Sequence, residues 1–169
     1  MLANREVWLG GYGFWRFRGA PTAVHDPIKT IATVISDVNN STLVMAIIDA
    51  VGIGNMIHDR IVHGVEAATG IPADNVLLGA THSHAGLDLQ GLWGGASDNY
   101  IDWVVSDTIS AIKEAYDSRR EANLYASKAL FPYNRNRRGL AYTDNEIFVL
   151  VTYACIYVIW KHVENMLSV

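Results

Sequence analysis

Two imidazoles separated by a single residue, His82 and His84 in Gly79-Ala80-Thr81-His82-Ser83-His84-Ala85-Gly86, are the side chains of this sequence best placed to do chemistry. On an extended backbone, residues i and i+2 point to one side. Such a pair suits two nitrogens on one metal, or one ligand beside one proton carrier. The same pair also reads as two solvated loop histidines. Its place after an apolar strand and before Gly91-Leu92-Trp93-Gly94-Gly95 favours a functional role. Asp49 and Asp88 are the nearby carboxylates. Asp49 either accepts the second ring N–H of a ligating histidine or serves as a turn or helix-cap aspartate.

The remaining polar clusters carry weaker signals. His25, in Val24-His25-Asp26-Pro27, is a candidate third ligand or a loop histidine paired with its neighbour Asp26. His58 and His63 lie five apart on a helical stretch, share no face and read as surface residues. Gly52-Ile53-Gly54 follows a strand and opens a helix, but Ile57 stands where a dinucleotide fingerprint needs its third glycine. No acidic residue ends the next strand either, so that reading is rejected. Asn134-Arg135-Asn136-Arg137-Arg138-Gly139 is a solvated basic turn or, through an arginine set among asparagines, a clamp for a carboxylate or a carbonyl.

The elements that must position these groups follow from local pattern. Residues 29–38 are rich in β-branched side chains and 43–48 is a short apolar run, so Asn39-Asn40 between them predicts a hairpin. Ile57, Ile61 and Val65 repeat at helical spacing over 55–69, with Gly70 and Pro72 placed to end the helix. A strand over 75–81 completes a βαβ unit whose two strands are expected to be parallel. Asp49 and His82 then converge at the carboxyl edge, where open α/β sheets hold ligands. A second helix is predicted over 100–116, with Trp103, Val104, Ala111, Ile112 and Ala115 on one face. A strand near 124–131, taken as a third of the parallel type, precedes the basic turn. The glycine- and aromatic-rich stretch 10–19 has no period and reads as an irregular loop of the kind that lines sites; Phe14, Trp15 and Trp93 are either an apolar wall or loop anchors.

Length and composition set the bounds. A chain of 169 residues, half of them hydrophobic and 18% charged, is about one domain with a buried core. A formal charge of −4 offers no general attraction to nucleic acid or anionic lipid. The single cysteine, Cys155, excludes an internal disulfide or a cysteine-rich zinc site and reads as a buried thiol. The start, Met-Leu-Ala-Asn-Arg-Glu-Val-Trp, shows neither the basic nor the apolar region of a signal peptide, and the compartment stays open. The longest apolar run, 147–160, is about two-thirds of the roughly 20 residues that cross a bilayer as a helix, so no transmembrane segment is expected and the run reads as buried strand.

Taken in order, Gly10-Gly11-Tyr12-Gly13, Val24-His25-Asp26-Pro27, Ile48-Asp49, the 75–86 strand and histidine loop, and Asn136-Arg137 resemble the N-terminal part of the neutral/alkaline non-lysosomal ceramidases. The resemblance covers about residues 7–150, and Thr-His-x-His-x-Gly is its specific element. It implies hydrolysis of the amide bond of ceramide to sphingosine and a fatty acid, with a catalytic Zn2+. By this resemblance His82 matches a zinc ligand, His84 matches the histidine beside the metal that contacts the reacting group, and Arg137 matches the arginine facing the substrate amide. The implied fold is an α/β domain, a mixed sheet with a parallel βαβ unit flanked by helices. Members of the family are often secreted or membrane-associated.

The sequence departs from the family in two places. Ala85-Gly86-Leu87 stands where the family reads Gly-Pro, and the family's other ligands (a histidine, a glutamate and a tyrosine) and its serine have no counterpart here. After Leu150 the composition changes. The resemblance therefore implies an incomplete domain over 1–150 and a divergent tail over 151–169, a truncated or frame-shifted form that is either incomplete or in need of a second polypeptide for the other ligands. A non-catalytic remnant or binding module, and a related metallohydrolase acting on another amide or ester, are the alternatives.

Overall fold

The computed structural model describes residues 7–13, 18–130, 146–153 and 159–162. It divides into two units, Met1–Arg119 with Tyr157–Val169, and Arg120–Ile156. In the first unit, strands β1 (Lys29–Ser36) and β2 (Thr42–Ile48) form the expected antiparallel hairpin, in register from Thr30↔Ile48 to Ser36↔Thr42. The turn is held by an aspartate as much as by its asparagines. Asp37 Oδ1 accepts the amides of Asn39 and Ser41 at 2.9 and 2.8 Å, and Asn40 takes a positive φ of 62°.

A short strand, β3 (Ala50–Ile53), follows β2 after only Asp49 and leads into helix α1 (Asn55–Thr69). Ile57, Ile61, Val62 and Val65 are the helix's buried residues, and Gly70 ends it in the left-handed conformation at φ 76°. Strand β4 (Val76–Ala80) then pairs with β2 in parallel, from Val44↔Val76 to Ile48↔Ala80. This is the predicted βαβ unit. Helix α2 (Asp98–Asp117) starts on Ser97, whose side chain accepts the Tyr100 amide at 3.3 Å.

Among the described residues the main sheet has the order β4-β2-β1-β8, the last strand being β8 (Ile159–His162), antiparallel to β1. Alternate residues of β2 show which face is covered. Val44, Ala46 and Ile48 are buried together with Ile57, Ile61 and Val65 of α1 and Val104 and Ile112 of α2, so both helices cover that face. Leu43, Ile47 and Leu77, on the other face, keep 40 to 57% of their surface exposed. The architecture is thus α/β, with a mixed sheet and two helices on one side.

Two features differ from expectation. β3 leaves the main sheet to pair in parallel with β5 (Leu87–Leu89), a three-residue strand in the histidine loop's wake. In the second unit, β6 (Asn123–Leu130) pairs with β7 (Glu146–Tyr153), and the pairing is antiparallel, from Asn123↔Tyr153 to Leu130↔Glu146. β6 is therefore no third parallel strand. Antiparallel neighbours need no helical crossover. The apolar run 147–160 contributes to both β7 and β8, and β7 passes through position 150 without a break. No described helix is long and apolar enough to cross a membrane.

Core packing on the covered face makes a direct prediction. Ile61 is fully buried, whereas Met56 on the same helix is 82% exposed. Ile61→Ala is expected to lower unfolding free energy by about 2–5 kcal/mol in urea denaturation, while Met56→Ala changes it by less than about 0.5 kcal/mol.

Candidate functional site

The histidine loop begins where β2 and β4 end. The amide of Thr81 donates to the carbonyl of Ile48 at 3.1 Å, which extends the parallel ladder by one bond and delivers His82 to the carboxyl edge. His82 is not extended, however. It sits at φ 59°, in the left-handed region, so the i, i+2 argument for a shared side does not apply as stated. The rings meet nonetheless: His82 and His84 lie edge to face, centroids 4.8 Å apart and planes at 75°.

The two rings have different surroundings at Nδ1, and these decide where the proton sits. His82 Nδ1 lies 2.6 Å from the carbonyl oxygen of Val51. A carbonyl can only accept, so Nδ1 carries the hydrogen and Nε2 keeps the lone pair. The His82 side chain is exposed, which leaves that lone pair accessible. His84 has the opposite arrangement. Its Nδ1 is buried against the main chain of Gly11 with no hydrogen-bond partner. A buried N–H without an acceptor is the rarer kind of orphan, so the proton belongs on Nε2.

Asp49, the expected partner of a ligating histidine, does something else. Its Oδ2 accepts the amide of Lys29 at 3.0 Å, while its own amide donates to the Lys29 carbonyl at 2.9 Å. It closes the open end of the β1–β2 hairpin, and the main-chain carbonyl of Val51 takes the role assigned to it. Asp88 is likewise structural. It is 1% exposed and accepts four amides: Gln90 and Gly91 at Oδ1 (3.1 and 3.0 Å), Trp93 and Gly95 at Oδ2 (2.6 and 2.9 Å). One carboxylate thereby shapes the whole glycine-rich loop. Trp93 is an anchor in that loop, its indole N–H donating to the Gly13 carbonyl at 2.9 Å.

His25 pairs with Asp26 at 2.7 Å, both side chains almost fully exposed, as its loop reading anticipates. It stands at an open cleft of about 450 Å3, lined also by Arg18, Val24, Asp49, Ser83 and Leu87. On α1, His58 is half-exposed beside Asp59 and His63 exposed beside Glu66. The rejected Gly-x-Gly has a packing explanation: a Cβ on Gly52 would lie 2.5 Å from the Gln90 side chain, and the amide of Gly54 donates to the Leu89 carbonyl at 3.0 Å. Both glycines admit β5. Arg137, Phe14, Trp15 and Cys155 lie outside the described residues. Sequence reasoning missed Val51 and Arg18, whose Nη1 donates to the carbonyl oxygens of Gly10 and His84. A contact made through a main-chain carbonyl leaves no mark in residue type.

The chemistry of His82 fits one ligand of a zinc site, since a ligating histidine donates its other ring nitrogen to just such a carbonyl. Among the described residues no group of three or more His, Cys, Asp or Glu gathers to hold a metal ion. The described residues therefore supply one candidate ligand and not a full set. No family model matches the chain, and no curated protein matches it significantly.

Two outcomes follow from this geometry. Asp88→Asn places an amide N–H2 against main-chain donors and should lower stability by about 3 kcal/mol, read by urea denaturation. The hydrogen bond that His25 donates to Asp26, then the charge of Asp26, raise the His25 pKa above 6.5. Protonated His25 is the favoured form, so the pair's interaction is present below the ordinary pKa and fades as pH rises through the raised one. In proton NMR titration, Asp26→Asn should bring His25 back down toward 6.5.

Proposed function

We propose that this chain carries part of a zinc-dependent amide-hydrolase site of the ceramidase type, acting on a ceramide-like lipid amide. The observation that carries the reading is the His82–Val51 bond, which commits Nδ1 as a donor and presents Nε2 as a ligand nitrogen at the carboxyl edge of the parallel pair. His84 supports it. Its Nε2–H, beside the ligand ring, is a proton donor suited to an amide oxygen or a leaving nitrogen. When bound, zinc would supply polarisation of the amide carbonyl and a pKa for water near 7. Arg137, by resemblance, would face the substrate amide and stabilise charge developing on its oxygen.

The further ligands come, on this reading, from outside the described residues, and a second polypeptide is one source of them. The neighbouring cleft of about 450 Å3 falls within the range of small-molecule sites and gives room for a substrate. A net charge of −4 fits a partner other than nucleic acid. The commitment of Asp49 to the Lys29 amide favours a second reading, a binding module that keeps the sheet edge without the chemistry. A metallohydrolase acting on another amide or ester differs from the first reading only in substrate.

Metal analysis and turnover of a fluorescent ceramide separate these. Zinc uptake is expected to depend on His82, so that His82→Ala weakens it at least about tenfold, as loss of one ligand does; stoichiometric zinc with turnover by the purified chain alone would overturn the incompleteness of the site. Equal zinc uptake by wild type and His82→Ala would sink the assignment of His82. Zinc uptake with turnover of a different amide or ester would move the substrate away from ceramide.

A further inference from the structure

Three residues near the N-terminus, Arg18, Tyr12 and Gly11, converge on one residue of the histidine loop, His84. The Arg18 guanidinium donates to the carbonyl of His84 and, at 3.3 Å, to that of Gly10. It also lies over the Tyr12 ring, 5.1 Å from its centroid, and Tyr12 in turn meets the His84 ring edge to face at 4.6 Å. Gly11 completes the enclosure. It sits at φ 95°, and a Cβ there would lie 2.5 Å from His84 Nδ1, so an L side chain is both strained and excluded. The stretch is itself fixed: the amides of Leu9 and Gly10 donate to the carbonyls of Gly19 and Gly86 at 3.1 and 3.2 Å.

We infer that Arg18 and Gly11 are positioning residues for His84, Arg18 tying its carbonyl to the N-terminal stretch while the Gly11 main chain closes off Nδ1, so that the ring is held in one orientation beside His82. The inference rests on the reading of the histidine pair as the site. It adds what makes the two histidines different: His82 is oriented by the sheet edge, His84 by a strap about 66 residues earlier in sequence. Arg18 is exposed, so its bonds order the loop while contributing little to global stability.

Diethyl pyrocarbonate, which acylates the lone-pair nitrogen of a neutral imidazole, tests this on the full chain without zinc or substrate, with each histidine followed by mass spectrometry. In the wild type His82 should react readily through its accessible Nε2, and His84, whose lone pair is closed off, at least about tenfold more slowly. Arg18→Gln should raise the His84 rate toward that of His82 with the melting temperature and the His82 rate unchanged; Arg60→Gln, which breaks an exposed pair with Asp102, should not. Gly11→Ala should release His84 as Arg18→Gln does, and Arg18→Gln alone decides if Gly11→Ala fails to fold. Wild-type His84 reacting as fast as His82, or protection undiminished in Arg18→Gln, would overturn the inference. Because neither metal nor substrate enters the assay, a protected His84 in a protein whose zinc uptake is the same in wild type and His82→Ala would sink the hydrolase reading and leave this one standing.

Discussion

The parallel pairing of β2 with β4 determines where chemistry can occur in this chain. Parallel neighbours require a crossover, and α1 supplies it because Ile57, Ile61 and Val65 must be buried against the same face as Val44, Ala46 and Val76. Both strands then end at one edge, and the bond from Thr81 to Ile48 holds the start of the histidine loop there. Without that ladder, Val51 and His82 would be separated by about thirty residues of chain with nothing to bring them together. The site is a consequence of helix burial, one step removed.

What happens beyond the edge depends on a division of the chain at Asp49. By bonding to Lys29 it ends β1–β2 pairing, and the next residue begins β3 in another sheet. That change of direction turns the Val51 carbonyl toward His82. β3 needs a partner of its own and finds β5, which carries Asp88 between Leu87 and Leu89. A buried carboxylate with four main-chain donors is a stronger organiser than any side chain packing in so glycine-rich a loop. Trp93, drawn in by Asp88, reaches Gly13 in turn, so the N-terminal stretch is tied to the loop at this end as it is tied to His84 by Arg18.

The parts legible in the sequence are those with a local pattern. α1 and α2 follow from side chains recurring on one face, the β1–β2 hairpin from two strand-forming runs either side of Asn39-Asn40, and the parallel β2–β4 pair from the helix that lies between its strands. β5 escapes because three residues carry no period, and β3 because it continues the apolar run of β2 across one aspartate. The antiparallel β6–β7 pairing escapes for a different reason: nothing in the two strands separately records their relative direction. At the site, the residue types of His82 and His84 pointed to chemistry, but the left-handed φ of His82, the Val51 carbonyl and the bonds of Arg18 are main-chain matters. Asp49 and Asp88 were visible as carboxylates near the loop. Only geometry shows that both are spent on backbone amides.

Identical side chains two residues apart are often treated as interchangeable, and here they are not. A carbonyl beside Nδ1 of His82 obliges that nitrogen to donate; the Gly11 main chain closes over Nδ1 of His84 and offers it no acceptor, which makes donation there costly. The first ring is left as an acceptor at Nε2 and the second as a donor at Nε2, with centroids 4.8 Å apart. An acceptor that can hold a cation next to a donor that can hold a proton is a chemically directed pair, which two solvated imidazoles sampling both tautomers would not be. The direction comes from Val51 and Gly11, one after a strand and one in a glycine-rich stretch, neither with a side chain that takes part.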